Sequence, residues 1–222
     1  IAGHNSALGL GGVTVADRAT LSLAPSIRIG NSLTLSRGAT LAGYGTLAAP
    51  GGTFIGNGAI LSPGSHSEIG TLSFASGLTL GAGGHLNFNL LDPAGLPGSG
   101  WDSLNITGGS LDISATIASP FTIHLATFAS DGASGPVSIF DPAQSYSWTF
   151  ATAAQINGFS SDLFAINSSG FLNNTAGGSF FVTQHNTGLA ITFTPVPDPP
   201  TYPLMGLGPG IVVVFEYRRR RR

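Results

Sequence analysis

The segment LSRGATLAGYGTL (Leu35–Leu47) decides how the chain is interpreted, because its first half recurs at a fixed distance. Near copies lie twenty residues before it, as VADRATL (Val15–Leu21), and twenty residues after it, as IGNGAIL (Ile55–Leu61). A weaker copy follows as LGAGGHL (Leu80–Leu86). The three close copies share three columns, which are Val15, Leu35 and Ile55; Ala19, Ala39 and Ala59; and Leu21, Leu41 and Leu61.

Short alternating triplets connect the copies: IRI (Ile27–Ile29), LTL (Leu33–Leu35) and LSF (Leu72–Phe74). Apolar alternation that ends at Gly or Asn predicts a short strand followed by a sharp corner. A period near twenty built from such strands predicts a solenoid, in which each strand pairs with its copies in the neighbouring turns. The small residue of the Ala column fits the inside of a bend, where a bulky side chain would collide with the inner stack.

These patterns predict an all-β fold, a right-handed parallel β-helix with rungs of about twenty residues, followed by mixed or antiparallel strands. A left-handed β-helix is the alternative, because Ile29, Leu35, Leu41 and Leu47 recur every six residues. Three sixes do not make a rung of twenty, so the right-handed form is favoured.

The composition excludes several classes of protein. The 222 residues include 33 Gly, no Cys and no Lys, and only 8% are charged. Without Cys, disulfides and thiolate metal sites are excluded. Residues 1–200 hold three Arg and nine acidic residues, a net charge of −6, which argues against a nucleic-acid partner.

Two stretches of the repeat resemble a known family. ATLAGYGTL (Ala39–Leu47) and AILSPGSHSEIGTLSF (Ala59–Phe74) are similar to the autotransporter-associated β-strand repeat, also called the passenger-associated transport repeat. The resemblance covers about residues 13–90. It implies a right-handed β-helix of the kind carried by large secreted or surface proteins.

Changes of composition predict three segments. The Pro- and Gly-rich stretch Leu90–Asp102 separates repeats at 1–91 from a C-terminal β region or cap at 92–195, and the tail is 196–222. Within the second segment, Phe180–Phe193 predicts a hairpin that turns at Asn186–Gly188.

The tail resembles a PEP-CTERM sorting signal, with a Pro-rich motif, an apolar stretch (Tyr202–Tyr217) and a basic cluster. The resemblance implies sorting to the envelope of a Gram-negative-type bacterium, processing by an exosortase, transient membrane contact and association with exopolysaccharide. The sixteen apolar-segment residues are fewer than the roughly twenty of a spanning helix. The residues that carry this resemblance are Val196, Pro197, Asp198, Pro199, Arg218, Arg219, Arg220, Arg221 and Arg222.

Candidate chemical groups are sparse. SHSE (Ser65–Glu68) places Ser, His and Glu together, but neighbours on an extended loop point in alternating directions. Asp92, Asp102 and Asp112 recur every ten residues without forming a calcium loop. The five His lie far apart in sequence, without HExxH or a paired metal spacing: His4, His66, His85, His124 and His185. We therefore expect no catalytic, cofactor or metal site.

Together these features predict a non-catalytic secreted protein of the bacterial surface or extracellular matrix, able to form fibres and associated with biofilm or exopolysaccharide. The expected partners are further copies of the chain or exopolysaccharide, with no nucleic acid. The alternatives are a tethered adhesin or carbohydrate-binding module and, with less support because Lys is absent and the acids are scattered, a β-helix enzyme acting on polysaccharide.

Overall fold

The computed structural model describes residues 1–65 and 67–197. Its described part is all-β, with one short 3-10 helix at Ser161–Leu163. The strands in chain order are β1 (Val13–Val15), β2 (Thr20–Leu23), β3 (Arg28–Ile29), β4 (Leu33–Leu35), β5 (Thr40–Gly43), β6 (Thr46–Leu47), β7 (Thr53–Ile55), β8 (Ile60–Pro63), β9 (Thr71–Phe74), β10 (Leu78–Gly81), β11 (His85–Leu90), β12 (Ser103–Ile106), β13 (Leu111–Ser114), β14 (Phe121–Thr127), β15 (Tyr146–Ala153), β16 (Ile156–Asn157), β17 (Phe164–Gly170), β18 (Ser179–His185) and β19 (Gly188–Thr194).

Most strands pair in parallel with the third strand along the chain. One sheet has the order β2–β5–β8–β11–β14–β17, and a second has the order β7–β10–β13–β16. A third begins β3–β6–β9–β12–β15 and ends with β19 and β18, while β1 pairs with β4. Pairs β15–β19 and β18–β19 are antiparallel. The predicted all-β class is confirmed, and the sheets are mostly parallel.

The register joins residues that the sequence repeat aligns. Val15 pairs with Leu35, and Leu41 pairs with Leu21 on one side and with Leu61 on the other. The weaker fourth copy takes its place in the same series, because Leu80 pairs with Ile55 and Leu86 with Leu61. Adjacent strands lie about 4.8 Å apart, so each column becomes a continuous row of apolar side chains.

One core extends from the first strands to the last. Leu41, Leu61 and Leu86 follow one another in neighbouring strands and are almost fully buried, and Ile123 of β14 continues the row. Burying each such side chain contributes about 1.5–3 kcal/mol. In the later strands the core is filled by larger rings: Phe88, Phe121, Trp148, Phe150 and Phe193.

The column of small residues ends in an aromatic ring. Ala39 and Ala59 are buried, and Gly84 occupies the next position, immediately before β11. A Cβ atom on Gly84 would lie 2.7 Å from Cε2 of Phe121 and 2.5 Å from the Ile55 carbonyl oxygen. Gly84 therefore makes room for the ring that follows it in the stack.

The parallel pairing continues across residue 91, where the sequence predicts the end of the repeats. Strands β12, β13 and β14 pair with β9, β10 and β11 respectively. The division of the chain into three segments stays a prediction. The hairpin predicted around Asn186–Gly188 is confirmed, since β18 and β19 pair there and Asn186 has a positive φ of 47°.

No helix within residues 1–65 and 67–197 has the length and apolar character needed to cross a membrane.

Candidate functional site

The predicted sorting residues lie mostly outside the described part of the chain. Val196 is exposed and Pro197 is the last described residue. Asp198, Pro199 and the Arg cluster at 218–222 fall outside the described residues. The repeat residues, in contrast, belong to the core and its edges: Ile55, Ala39, Ala59, Leu41 and Leu61 are at most 1% exposed, Val15 and Leu21 are buried, and Ala19 and Leu35 are half-buried.

The outer face of the six-stranded sheet carries an open groove. Successive residues of a strand point to opposite sides, so every second residue of β2, β5, β8, β11 and β14 faces away from the core. Those positions are mostly small and polar. They form a first depression of about 310 Å³ that crosses four strands. Its lining includes Thr20, Ser22, Thr40, Ser62 and Asn87.

Two further depressions continue from the first. Asn87 also lines a second one of about 280 Å³, together with Asn89, His124 and Phe128. Phe128 then lines a third, of about 410 Å³, which also contains Glu68. We call these three depressions, which share Asn87 and Phe128 as lining residues, the polar groove. It offers hydroxyl, amide and imidazole groups in sequence, and the ring of Phe128 lies buried between its second and third parts.

Charge is confined to one end of the polar groove. Among residues 1–65 and 67–197, the linings of the first and second depressions hold no acidic or basic side chain apart from the imidazole of His124. The third depression contains two carboxylates, those of Glu68 and Asp131. The groove is therefore neutral along most of its length and acidic at one end.

A buried carboxylate anchors the acidic end. Asp102 is 0% exposed, and its Oδ1 and Oδ2 accept hydrogen bonds from the backbone N–H groups of Gly70 and Asn89, both at 2.9 Å. Burial raises the pKa of Asp102 well above its usual range, more than the two backbone donors lower it. The side-chain amide of Asn89 donates in turn to the Ser65 carbonyl oxygen at 3.1 Å.

Tyr44 holds Glu68 at the same corner. Its hydroxyl donates to Oε2 of Glu68 at 2.8 Å. Burial raises the pKa of Tyr44 to about 12, and the hydrogen bond to Glu68 and the nearby negative charges add to the effect. Within the SHSE stretch, the Ser65 backbone N–H also bonds to the Glu68 carbonyl oxygen at 3.2 Å, and His66 lies outside the described residues. Ser65 and Glu68 thus take part in closing a corner loop.

The structure also joins two histidines that the sequence analysis treats as distant. His85 of β11 and His124 of β14 are half-buried on the outer face, with Nε2 of His124 lying 3.2 Å from Nδ1 of His85. Their ring centroids are 5.2 Å apart. Burial lowers the pKa of both imidazoles, and the charge of His124 lowers that of His85 further. The two histidines are 39 residues apart in sequence, and the stacking of β11 and β14 brings their rings together.

The repeat contained part of the signal for this pair, because His85 follows the small-residue column directly. The next copy of that position is Thr122, with which His85 pairs. A long insertion between Leu86 and Ile123 hides the correspondence in the sequence. Within residues 1–65 and 67–197, no group of three or more His, Asp or Glu side chains is placed to hold a metal ion.

Comparison of the chain with protein-family models, with curated protein sequences and with solved structures gives no match.

Proposed function

We propose that the stacked parallel sheets wind into one right-handed β-helix with rungs of about twenty residues in its first half. The pairing of most strands with the third strand along the chain supports three strands per rung. The repeat of Val15, Leu35 and Ile55 supports the rung length. A left-handed β-helix is the alternative. The order of the paired strands would be the same in both, so only an experimental density map that shows the path of the chain distinguishes them.

We propose that this rod is a non-catalytic scaffold of the bacterial surface or extracellular matrix, and that it binds exopolysaccharide in the polar groove. The groove is the observation that carries the proposal. A sugar polymer presents many hydroxyl groups, and Ser, Thr and Asn side chains can both donate to them and accept from them. Because the groove is open and neutral along most of its length, an uncharged polymer suits it better than a polyanion.

Asn87 provides the sharpest test of this binding, because it lines both the first and the second depressions. We expect Asn87→Ala to weaken binding of a neutral glucan about fivefold, since losing one hydrogen-bonding group costs about 1 kcal/mol. Affinity electrophoresis in gels that contain the glucan measures the change.

Asn105→Ala is the matched control, because Asn105 is an exposed amide on β12, in the seven-stranded sheet. It should bind the glucan as the unchanged protein does. Equal retardation of the two variants, or stronger retardation of the unchanged protein by an anionic uronate polymer, would contradict binding in the groove.

We further propose that the tail directs the chain to the envelope, where an exosortase-type enzyme processes it after transient membrane contact. The order of Pro-rich motif, apolar stretch and Arg cluster supports this. Deleting residues 196–222 should leave the protein in the periplasm or medium instead of at the surface. Cell fractionation and immunoblotting locate the shortened chain. If it is still retained at the surface, the tail does not direct sorting.

Self-association into fibres is the second part of the structural proposal. Strand β2 ends the six-stranded sheet, and in the described part of the protein its outer edge is met by a bridge in which the Ala2 N–H donates to the Ser22 carbonyl oxygen and the Ala24 N–H donates to that of Ala2. We propose that the rest of this edge pairs with another chain. Negative-stain electron microscopy of surface material should show filaments of regular width. Separate rods that still bind glucan would favour the tethered adhesin.

A further inference from the structure

We propose that His85 and His124 together bind one divalent transition-metal ion of the late first row, on the outer face of the six-stranded sheet. The two side chains come from the adjacent parallel strands β11 and β14, and their rings meet on the outer face of the sheet. This inference rests on the two imidazoles alone and does not depend on polysaccharide binding.

The separation of the two nitrogens suits a chelated metal. A metal–imidazole bond is about 2.0–2.1 Å long, so two such ligands at square-planar or tetrahedral angles have nitrogens about 2.9–3.4 Å apart. Nε2 of His124 and Nδ1 of His85 are 3.2 Å apart. In the hydrogen bond the two nitrogens face each other, so each ring must turn by about 35–45° to direct its lone pair at a common ion, at little change in their separation.

Both imidazoles can supply a lone pair near neutral pH. Metal binding needs neutral imidazole, and burial favours the neutral form of both rings. In the absence of metal, one facing nitrogen carries the proton of the hydrogen bond. On binding, that proton moves to the other nitrogen of its own ring, so both rings remain neutral and no net proton is released.

The sheet holds the pair in a fixed register. His85 pairs with Thr122, and His124 pairs with Asn87 on one side and with Asn167 on the other. These neighbours are uncharged, and Arg37 lines the depression that adjoins His85. Two protein ligands leave the remaining coordination positions to water. An all-imidazole pair without thiolate or carboxylate favours Cu²⁺ over Ni²⁺ and Zn²⁺.

The test is a titration of the full chain with CuCl₂ in a non-coordinating buffer, followed by calorimetry and electron paramagnetic resonance. We expect one Cu²⁺ per chain, with hyperfine coupling to two imidazole nitrogens. His85→Gln and His124→Gln should each weaken binding by at least about tenfold. Near-ultraviolet circular dichroism checks that each variant is folded. If one variant is unfolded, the paramagnetic resonance spectrum of the unchanged protein still shows whether two imidazole nitrogens bind the ion.

A matched control removes the other histidines. The triple variant His4→Gln, His66→Gln, His185→Gln should keep the affinity and the two-nitrogen signal of the unchanged protein. The proposal is overturned if the triple variant loses the tight site. It is equally overturned if the unchanged protein shows coupling to fewer than two imidazoles, or if His85→Gln and His124→Gln both bind Cu²⁺ as it does.

Discussion

Gly43→Ala is expected to lower the free energy of unfolding by about 4 kcal/mol, which combines backbone strain with a steric overlap in the stack. Gly43 ends β5 with a φ of +108°, a conformation that L side chains rarely adopt. A Cβ atom there would lie 2.1 Å from the carbonyl oxygen of Leu23. Because Leu23 belongs to the neighbouring strand β2, relief of the overlap would separate two paired strands.

Substitutions at two other glycines separate the loss of stability caused by backbone strain from that caused by steric overlap. Gly51 has a φ of +79° but open space around a Cβ atom, so Gly51→Ala should cost only the strain, about 1 kcal/mol. Gly30 has neither a positive φ nor a close neighbour, and Gly30→Ala should change stability little. Urea unfolding followed by the fluorescence of the buried Trp101 and Trp148 measures all three. If Gly43→Ala unfolds at the same urea concentration as Gly51→Ala, the close packing of β5 on β2 is wrong.

Much of the fold could be predicted from the sequence because the strands follow a sequence repeat. In a stack of strands, residues that occupy equivalent places are neighbours, so a repeat of fixed length also states the register. Leu21, Leu41 and Leu61 are aligned by sequence and paired in space for the same reason. The alignment weakens where insertions lengthen the turns, and the parallel pairing of β11 with β14 could not be derived from spacing alone.

Phe121 illustrates a second limit. It continues a column that begins with Ala, because Gly84 leaves space for its ring. A search for small residues therefore loses the column at this point. The exchange of volume between neighbouring strands, a smaller residue in one and a larger residue in the next, is a property of packing that single positions do not reveal.

The polar groove and the histidine pair were missed because they combine residues from several turns. Each of Ser62, Asn87 and His124 is an ordinary polar residue of an alternating strand when considered alone. Stacking places them on one face, where they line two depressions that share Asn87. A repeat alignment that included the outward positions as well as the core columns would have found part of the groove.

The three equally spaced aspartates have three different roles, which the spacing could not show. Asp92 accepts a hydrogen bond from the Ala94 backbone N–H in a local turn. Asp112 accepts from the hydroxyl of Ser110 and the amide of Asn157 on a neighbouring strand. Asp102 alone is buried. Burial, which depends on the whole stack, distinguishes a structural anchor from two surface residues.

Asp102→Ala should destabilise the fold by about 2–6 kcal/mol, because it removes the carboxylate acceptor of two buried backbone N–H groups, at about 1–3 kcal/mol each. These are the N–H groups of Gly70 and Asn89. Asp102→Asn is the conservative comparison. Its amide oxygen can accept from one N–H group while its NH₂ group faces the other, so it should lose about half as much. Urea unfolding at a fixed pH measures both variants.

The difference in unfolding free energy between the unchanged protein and Asp102→Asn depends on pH. This dependence tests whether burial or hydrogen bonding has the larger effect on the pKa of Asp102. Burial raises the pKa of Asp102 in the folded state above that in the unfolded chain, so the folded protein binds the proton more tightly. The stabilisation from this proton is full below the ordinary Asp value of about 3.9 and is lost as pH rises through the folded value. The stability of the unchanged protein relative to Asp102→Asn should therefore fall with increasing pH.

The difference between the two proteins does not contain the contribution of His85 and His124, which is the same in both. Because their pKa values are lowered in the folded state, that contribution raises stability as pH rises toward the ordinary His value. Unfolding free energies at several pH values from 4 upward give the slope directly. A difference that is constant with pH, or that grows as pH rises, would mean that the two backbone donors outweigh burial. Asp102 would then be held as a carboxylate throughout, and the corner that contains Gly70 would owe its stability to a buried charge.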